Sequence, residues 1–254
     1  VMAQLDPLVG DIPGNAARAI EAVREARIEH GADIVVFPEL FLSGYPPEDL
    51  LLRPSMETRL REARAKMAEK ISRDVLVIIG YPGVREGKCY NLAGVLYNGQ
   101  WEAEYAKQAL PNYQVFDEQR YFTPGTEPLV YEHKGAKLGL LICEDLWEGA
   151  PVKAAREAGA EVLISLNASP YHQDKPAERL RLLEQRAQDV QRPIVYVNTI
   201  GGQDELVFDG GSSCVDASGQ LKVLAPYWQA GLMPIQLLQT SADAWEPQAG
   251  EIEP

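Results

Sequence analysis

Short apolar runs alternate with longer helix-like segments through most of this chain. The apolar runs have the length and composition of strands that are covered on both faces, and they occupy residues 34–37, 75–79, 138–142, 162–166 and 194–198. Segments with helical spacing or helix-forming composition lie between them, at residues 15–30, 54–72, 151–158 and 176–190. Asn15 is the predicted N-cap of the first helix, and Gly31 is its predicted stop. This alternation predicts an α/β fold.

Other strands are expected to pair in antiparallel fashion. Residues 92–97 and 100–106 flank Asn98-Gly99, which is the strongest hairpin signal in the chain. Residues 3–5 predict a short first strand, and three more short strands joined by Gly-rich turns are predicted at 206–208, 213–216 and 221–224. Each sheet is therefore expected to be mixed. A four-layer α-β-β-α sandwich, with helices outside two mixed sheets, accommodates this order.

Two segments do not fit the alternation. Residues 107–125 form a long irregular stretch with four aromatic residues, and such loops in compact domains are usually functional, so we expect it to form one wall of a site. Residues 239–254 are polar, acidic and proline-bearing. We therefore predict one domain at 1–238, followed by an acidic linker or docking tail at 239–254.

The overall composition narrows the class of protein. The chain has 254 residues, of which 46% are hydrophobic, enough for the core of one large domain. A formal net charge of −13 disfavours nucleic acid or an anionic membrane as the partner. Its three cysteines are far apart and fit neither a disulfide framework nor a metal site. No apolar run is long enough for a bilayer span, so we predict a soluble, cytoplasmic protein.

Three apolar strands end abruptly on a functional group. The run at 34–37 leads to Glu39, the strand at 100–106 to Lys107, and the run at 138–142 to Cys143. Taken alone, a cysteine is more often a buried, inert thiol, and a glutamate or lysine is more often a surface charge. A carboxylate, an ammonium and a thiol at three strand ends together predict a catalytic constellation.

These three groups are sufficient to hydrolyse an amide. Cys143 can attack the carbonyl carbon, Glu39 can take and return the proton, and Lys107 can stabilise the negative oxygen. A cysteine–histidine pair is the commoner form of thiol catalysis and remains the alternative. Of the three histidines, only His172 follows a loop that is a credible part of a site.

Several motifs along the chain resemble those of a known family. Segments around Phe37-Pro38-Glu39, Lys107 to Tyr113 and Cys143-Glu144-Asp145 resemble the nitrilase superfamily, whose Glu-Lys-Cys triad lies on an α-β-β-α sandwich. The resemblance is closer to the glutaminase domain of glutamine-dependent NAD synthetases. It rests on further motifs in the same order: residues 43–51, 110–118, 167–170 and 201–210.

The resemblance implies a role for each matching residue. It implies Cys143 as the nucleophile, Glu39 as the general base and acid, and Lys107 as the oxyanion stabiliser together with the backbone N–H of Glu144. Glu118 matches a second carboxylate that positions the lysine or the leaving ammonia. The residues that match positions holding the amine and carboxylate of glutamine are Tyr113, Glu144, Ser169 and Lys175.

The resemblance also implies a substrate and partners. The expected reaction is hydrolysis of L-glutamine to glutamate and ammonia, which would supply an NAD synthetase domain not present in this chain. No cofactor is expected in this domain, since ATP and Mg would belong to the synthetase domain, and a homo-oligomer is expected. Two alternatives remain at this stage: an independent nitrilase-like amidase or carbamoylase, and a catalytically silent interaction module.

Overall fold

Two six-stranded sheets lie face to face at the centre of the structure, a computed structural model that describes residues 1–250. The elements of the first half are β1 (Met2–Gln4), α1 (Ile12–His30), β2 (Ile34–Val36), α2 (Pro54–Lys70), β3 (Leu76–Arg85), β4 (Lys88–Tyr97) and β5 (Gln100–Ala106). Those of the central part are β6 (Val130–His133), β7 (Ala136–Ile142), α3 (Glu144–Glu148), α4 (Ala150–Glu157), β8 (Val162–Asn167), α5 (Lys175–Val190) and β9 (Ile194–Asn198).

Seven short strands follow within the described residues. They are β10 (Ile200–Gln203), β11 (Leu206–Asp209), β12 (Ser213–Val215), β13 (Leu221–Leu224), β14 (Gly231–Met233), β15 (Ile235–Ser241) and β16 (Ala244–Ala249). One large sheet has the order β14-β1-β2-β3-β4-β5, and the other has the order β13-β12-β9-β8-β7-β6. In each sheet a parallel core of three strands is flanked by antiparallel strands, so the prediction of two mixed sheets is confirmed.

Apolar side chains divide the molecule into four layers. Ile78 and Val95 of the first sheet meet Leu140 and Ile164 of the second in a core that is closed to solvent. Helices α1 and α2 pack on the outer face of the first sheet, and α4 and α5 pack on the outer face of the second. The predicted α-β-β-α sandwich is confirmed, and both faces of the parallel strands are covered, as their continuous apolar runs require.

The ladders of both sheets continue into the three predicted strand ends. The N–H of Phe37 donates to Ile78 at 2.8 Å, that of Lys107 to Asn91 at 2.9 Å, and that of Cys143 to Leu166 at 2.9 Å. Backbone hydrogen bonds therefore fix the positions of Lys107 and Cys143, and of Phe37, which lies two residues before Glu39.

The start of α1 differs from the prediction. The helix begins at Ile12, and its N-cap is Asp11, whose carboxylate accepts a hydrogen bond from the N–H of Gly14. Asn15 is buried inside the helix, where its amide bonds to both backbone groups of Leu8. Both residues are good capping types, and Pro13 fits the first turn, so the local signal permitted either start.

The end of the described chain also differs from the prediction. Strands β15 and β16 form an antiparallel hairpin, so residues 239–249 of the predicted linker or docking tail have regular structure instead of an irregular course. Leu237 and Trp245 pack against the core between the sheets, whereas most of the hairpin is exposed. The sequence of this hairpin is mostly polar because only a few of its side chains, Leu237 and Trp245 among them, contact the core. Residues 251–254 of the predicted tail lie outside the described residues.

Within residues 1–250, no helix has the length and apolar character that a membrane span needs.

Candidate active site

Cys143 occupies a sharp turn between strand β7 and helix α3. Its backbone has φ 44° and ψ −94°, a conformation that non-glycine residues rarely adopt. The following helix is only five residues long and begins at once with Glu144, and Cys143 itself is 8% exposed. Strained backbone held by a surrounding fold is common where a side chain must be presented to a ligand. The turn thus places the thiol at the end of a buried strand.

Glu39 lies beyond the end of β2 with its carboxylate fully engaged. Its Oε1 accepts hydrogen bonds from Lys107 Nζ at 2.7 Å and from Asn91 Nδ2 at 2.8 Å. Its Oε2 accepts from the backbone N–H of Ala168 at 3.0 Å. The segment can approach β3 this closely because the facing position is Gly80, where a Cβ would come within 2.3 Å of the backbone nitrogen of Leu40.

Lys107 joins Glu39 to a second carboxylate, that of Glu118. Its ammonium donates to both carboxylate oxygens of Glu118, each at 2.9 Å. Glu118 also accepts a hydrogen bond from the hydroxyl of Tyr45 at 3.0 Å. Lys107 and Glu39 are each 1% exposed and Glu118 is 5% exposed, so three ionisable groups share one site that is closed to solvent.

Burial and mutual charge alter the titration of this cluster. Burial alone would lower the pKa of Lys107, but the charges of Glu118 and Glu39 outweigh it and hold that pKa well above its ordinary value. Burial raises the pKa of Glu118 to about 7, against the opposing effect of Lys107. Near neutral pH, Lys107 is therefore charged, and Glu118 carries a proton part of the time.

The surroundings of Cys143 favour its protonated thiol over the thiolate. Burial and the charge of Glu39 raise its pKa well above the ordinary value, and the opposing effect of Lys107 is smaller. The sequence alone left the protonation state of Cys143 open, because a nearby lysine lowers the pKa of a thiol whereas nearby glutamates raise it. A neutral thiol needs a base when it attacks, and the carboxylate of Glu39 belongs to the same charged cluster.

The four predicted substrate-binding residues occupy different settings. Glu144 is buried, and its Oε1 accepts a hydrogen bond from the hydroxyl of Tyr113 at 2.9 Å. Ser169 is also buried and follows Ala168, the residue whose N–H binds Glu39. The ammonium of Lys175 lies 3.9 Å from the ring centroid of Trp147.

The sequence of nearly the whole chain matches one family model. The model for the carbon-nitrogen hydrolase family covers residues 2–246 of the chain. The chain belongs to the carbon-nitrogen hydrolase family.

Relatives and solved structures agree with this assignment. A glutamine-dependent NAD(+) synthetase from Xylella fastidiosa is 47% identical over 222 residues, which are 87% of this chain and 41% of the relative. The structure of such a synthetase from Acinetobacter baumannii, in complex with ADP, superposes with a TM-score of 0.93 and 38% identity over 100% of this chain and 47% of that one. A variant of the nitrilase-superfamily amidase from Nesterenkonia sp. AN1 has a TM-score of 0.79 and 27% identity over 90% of this chain and 86% of that one.

The extent of these matches is informative. This carbon-nitrogen hydrolase spans about two fifths of the length of the curated synthetases it matches. It spans most of the amidase. The match therefore corresponds to one part of the synthetases, and to nearly the whole of a smaller hydrolase.

The histidine alternative gains no support from the geometry. His172 is exposed, and its ring lies 3.6 Å from the carboxylate of Glu178. Within residues 1–250, no histidine is hydrogen-bonded to Glu39, Lys107 or Glu118. Cys89 and Cys214 are free thiols, and burial raises the pKa of Cys89 to about 11. No cluster of metal-ligating side chains occurs in that part of the chain either.

Sequence reasoning missed three residues that shape this hydrolase site. Tyr45 binds Glu118, Asn91 binds Glu39, and Asp145 binds backbone groups on both sides of the site. Tyr45 and Asp145 lie inside the motifs that carried the family resemblance, but Asn91 lies in a hairpin strand with no distinguishing pattern. Contacts that join distant segments leave no periodic signal in a single sequence.

Proposed function

We propose that this carbon-nitrogen hydrolase cleaves the side-chain amide of L-glutamine to glutamate and ammonia through a thioester on Cys143. The observation that carries the proposal is the buried ammonium of Lys107, held between Glu39 and Glu118 beside the strained Cys143 turn. The relatives that match 87% of this chain at 47% identity are glutamine-dependent NAD(+) synthetases, which supports glutamine as the substrate.

The proposed first half-reaction forms the thioester. The sulfur of Cys143 attacks the amide carbon while Glu39 takes the thiol proton, so that a carbon–sulfur bond forms and the carbonyl oxygen becomes negative. Glu39 then gives that proton to the amide nitrogen, the carbon–nitrogen bond breaks, and ammonia leaves. Because the raised pKa of Cys143 favours the thiol over the thiolate, the proton passes to Glu39 as the sulfur attacks.

The second half-reaction releases glutamate. Glu39 takes a proton from water, the resulting hydroxide attacks the thioester carbon, and the proton returns to the departing sulfur. The negative oxygen that forms in both halves is stabilised by Lys107 and by the backbone N–H of Glu144. Glu118 fixes the ammonium of Lys107 through two hydrogen bonds and thereby orients it. Cys143, Glu39 and Lys107 supply every group these steps need, so the proposal includes no metal or organic cofactor.

We assign recognition of glutamine to the four residues that the family resemblance singled out for it. A zwitterion needs a carboxylate for its ammonium and a cation for its carboxylate, both at close range. We assign the first part to Glu144, oriented by Tyr113, and the second to Lys175, with Ser169 as an additional hydrogen-bonding partner. Burial raises the pKa of Glu144, and the hydrogen bond from Tyr113 opposes that rise.

The released ammonia has a proposed use in a larger enzyme. The matched relatives are named as synthetases and are more than twice as long as the aligned region, which supports a synthetase domain as the partner. ATP and Mg would bind to that domain rather than to this one. A cytoplasmic location and a homo-oligomeric assembly are part of the same proposal.

One experiment tests both the substrate and the nucleophile. Ammonia release is measured from L-glutamine, L-asparagine, acetamide and an N-carbamoyl amino acid, using the wild type, Cys143→Ala and Cys89→Ser. Selective release from glutamine that is lost in Cys143→Ala and kept in Cys89→Ser supports the proposal. Release that survives in Cys143→Ala would exclude the thioester.

A second candidate function is an independent amidase. The observation in its favour is that the fold covers 86% of the length of the Nesterenkonia amidase, so a domain of this size is sufficient for amide hydrolysis. The same panel separates the two, because a preference for acetamide over glutamine would favour the amidase.

A further inference from the structure

Asp145 is a buried carboxylate that the proposed reaction does not use. Its Oδ1 accepts hydrogen bonds from the backbone N–H groups of Gln108 at 3.0 Å and of Ala109 at 2.8 Å. These two residues directly follow Lys107. Its Oδ2 accepts from the hydroxyl of Tyr105, two residues before Lys107, at 2.8 Å. One carboxylate therefore holds the chain on both sides of Lys107.

The same carboxylate also holds the cysteine turn. Its Oδ2 accepts the backbone N–H of Ile142 at 2.9 Å, and Ile142 directly precedes Cys143. Asp145 itself lies in the first turn of α3, two residues after Cys143. The segments that carry Lys107 and Cys143 belong to different sheets, and Asp145 joins them by hydrogen bonds at a distance of one or two residues from each.

This arrangement requires a carboxylate. Asp145 is 0% exposed, and within residues 1–250 its hydrogen-bond donors are uncharged. Burial raises the pKa of Asp145 to about 6, even though hydrogen bonds from Ala109, Ile142 and Tyr105 oppose the rise. The nearby charge of Lys107 also lowers the pKa of Asp145. A buried charge is costly unless its oxygens are hydrogen-bonded, and an ionised carboxylate can accept donors from two segments on both of its oxygens with no proton of its own in the way.

We propose that Asp145 is a positioning residue that fixes the ammonium of Lys107 relative to the thiol of Cys143. It acts through the backbone on either side of these residues and through the first turn of α3. The rate effects described next rest on the proposed glutaminase function. The effect on the thiol does not, because the reactivity of Cys143 toward an alkylating reagent needs no substrate.

The first test is Asp145→Asn, which keeps the size of the side chain. The amide oxygen of the new side chain can still accept hydrogen bonds from the N–H groups of Gln108 and Ala109. Its NH2 group, however, then faces the N–H of Ile142, and two hydrogen-bond donors cannot bind each other. We expect kcat for L-glutamine to fall by about 100-fold, because a shift of about 1 Å in a catalytic group has an effect of that size. KM should change by less than about threefold, because the groups assigned to the substrate are kept.

The second test measures alkylation of Cys143 by iodoacetamide at pH 8, followed by mass spectrometry of its peptide. Removal of the negative charge of Asp145 would by itself favour the thiolate and speed alkylation. Displacement of Lys107 removes the cation that favours the thiolate, so our proposal predicts alkylation that is about tenfold slower, corresponding to one unit of thiol pKa. Equal or faster alkylation in the folded variant would overturn the proposal. Cys89 is an internal control, and its rate should not change.

Two further variants make the test independent of folding. Tyr105→Phe removes one of the two donors to Oδ2 and keeps the ring, so it should slow alkylation of Cys143 by roughly two- to fivefold, as for loss of one modest hydrogen bond. If circular dichroism shows that Asp145→Asn does not fold, Tyr105→Phe alone tests the proposal, and an unchanged rate of Cys143 alkylation in Tyr105→Phe refutes it.

Glu161→Gln is the matched control, because Glu161 is also a buried carboxylate but accepts its hydrogen bonds from Lys137 and Trp245. It should leave both readouts unchanged. If no variant or wild type hydrolyses glutamine, the proposed function fails, while the alkylation rates still test Asp145.

Discussion

The ammonium of Lys107 lies 2.7 Å from Oε1 of Glu39, and both side chains are 1% exposed. With Glu118 at 2.9 Å on the other side, one cation faces two carboxylates in a site closed to solvent. Burial raises the pKa of Glu118 to about 7 against the opposing effect of Lys107, so Glu118 binds a proton more readily than an ordinary carboxyl does. Lys107 keeps its charge in this site, because the charges of Glu118 and Glu39 hold its pKa well above the ordinary value.

The first prediction concerns Lys107→Ala. If Lys107 stabilises the oxyanion, its loss should lower kcat for L-glutamine by about two to three powers of ten, as for other lost oxyanion donors. The decisive measurement is steady-state ammonia release with the folded state checked by circular dichroism. Lys137→Ala is a suitable control, because the half-exposed Lys137 pairs at 3.5 Å with Glu161, which is not one of the groups assigned to the reaction. Unaltered turnover in Lys107→Ala would remove Lys107 from the mechanism.

The second prediction concerns Glu118→Gln and the dependence of stability on pH. The pKa of Glu118 rises from its ordinary value of 4.5 to about 7 on folding, so the folded state binds the proton more tightly. The free energy of unfolding contributed by this group must therefore fall as pH rises between these two values. Glu118→Gln lacks this contribution.

Chemical denaturation of both proteins at pH 5 and pH 7 measures the difference. The wild type should lose stability over this range relative to Glu118→Gln, and the titrating groups outside the cluster of Glu118, Lys107 and Glu39 cancel in the comparison. If the two proteins lose the same amount, the pKa of Glu118 is not raised by folding.

The strands and their ends could be predicted because both are local signals. Continuous apolar runs identified the parallel strands, and abrupt functional groups after two of these runs and after the hairpin strand β5 identified Glu39, Cys143 and Lys107 as residues worth testing. Their convergence required the family resemblance, since Lys107 and Cys143 belong to different sheets. The spacing of apolar residues along the sequence does not predict how two sheets pack against each other.

The parts that could not be predicted depend on tertiary contacts. Asn15 has the same capping chemistry as Asp11, and only its burial against Leu8 and Leu42 decides between them. The hairpin β15–β16 is polar on most positions, and the few apolar residues that anchor it have meaning only beside the core between the sheets. Asn91 likewise gains its role from a segment 52 residues away.

The third prediction concerns Tyr113→Phe. The hydroxyl of Tyr113 donates to Glu144 at 2.9 Å and lowers the pKa of that carboxyl against the effect of burial. Without it, Glu144 is less well oriented and binds a proton more readily. We expect KM for L-glutamine to rise by roughly five- to tenfold with kcat nearly unchanged, consistent with loss of one hydrogen bond to a charged group.

The pH dependence gives this prediction a second readout. Because the pKa of Glu144 rises in Tyr113→Phe, the increase in KM should grow as pH falls from 8 to 6. Tyr121→Phe is the control, since the hydroxyl of Tyr121 bonds to Asp49 on the surface. A kcat effect without a KM effect would place Tyr113 in the chemical step instead.

The fourth prediction concerns Gly80→Ala, which tests whether Glu39 depends on close backbone packing. A Cβ at Gly80 would lie 2.3 Å from the nitrogen of Leu40, 2.6 Å from the carbonyl oxygen of Pro38 and 2.7 Å from the carbonyl carbon of Glu39. All three are backbone atoms, so the segment that carries Glu39 must move away from β3. We expect the free energy of unfolding to fall by about 3 kcal/mol from overpacking and kcat to fall by about 100-fold from the displaced carboxylate.

Gly202→Ala separates this effect from the general cost of replacing a glycine in a strand. Gly202 lies in β10, and the nearest heavy atom to its added Cβ would be at 3.4 Å, an ordinary contact. Its stability and turnover should stay close to those of the wild type. Turnover must be measured at a temperature where Gly80→Ala remains folded, because only then does a lower kcat report the position of Glu39. A folded Gly80→Ala protein with full turnover would mean that the carboxylate of Glu39 tolerates the shift, and the base would then not require the geometry described for it.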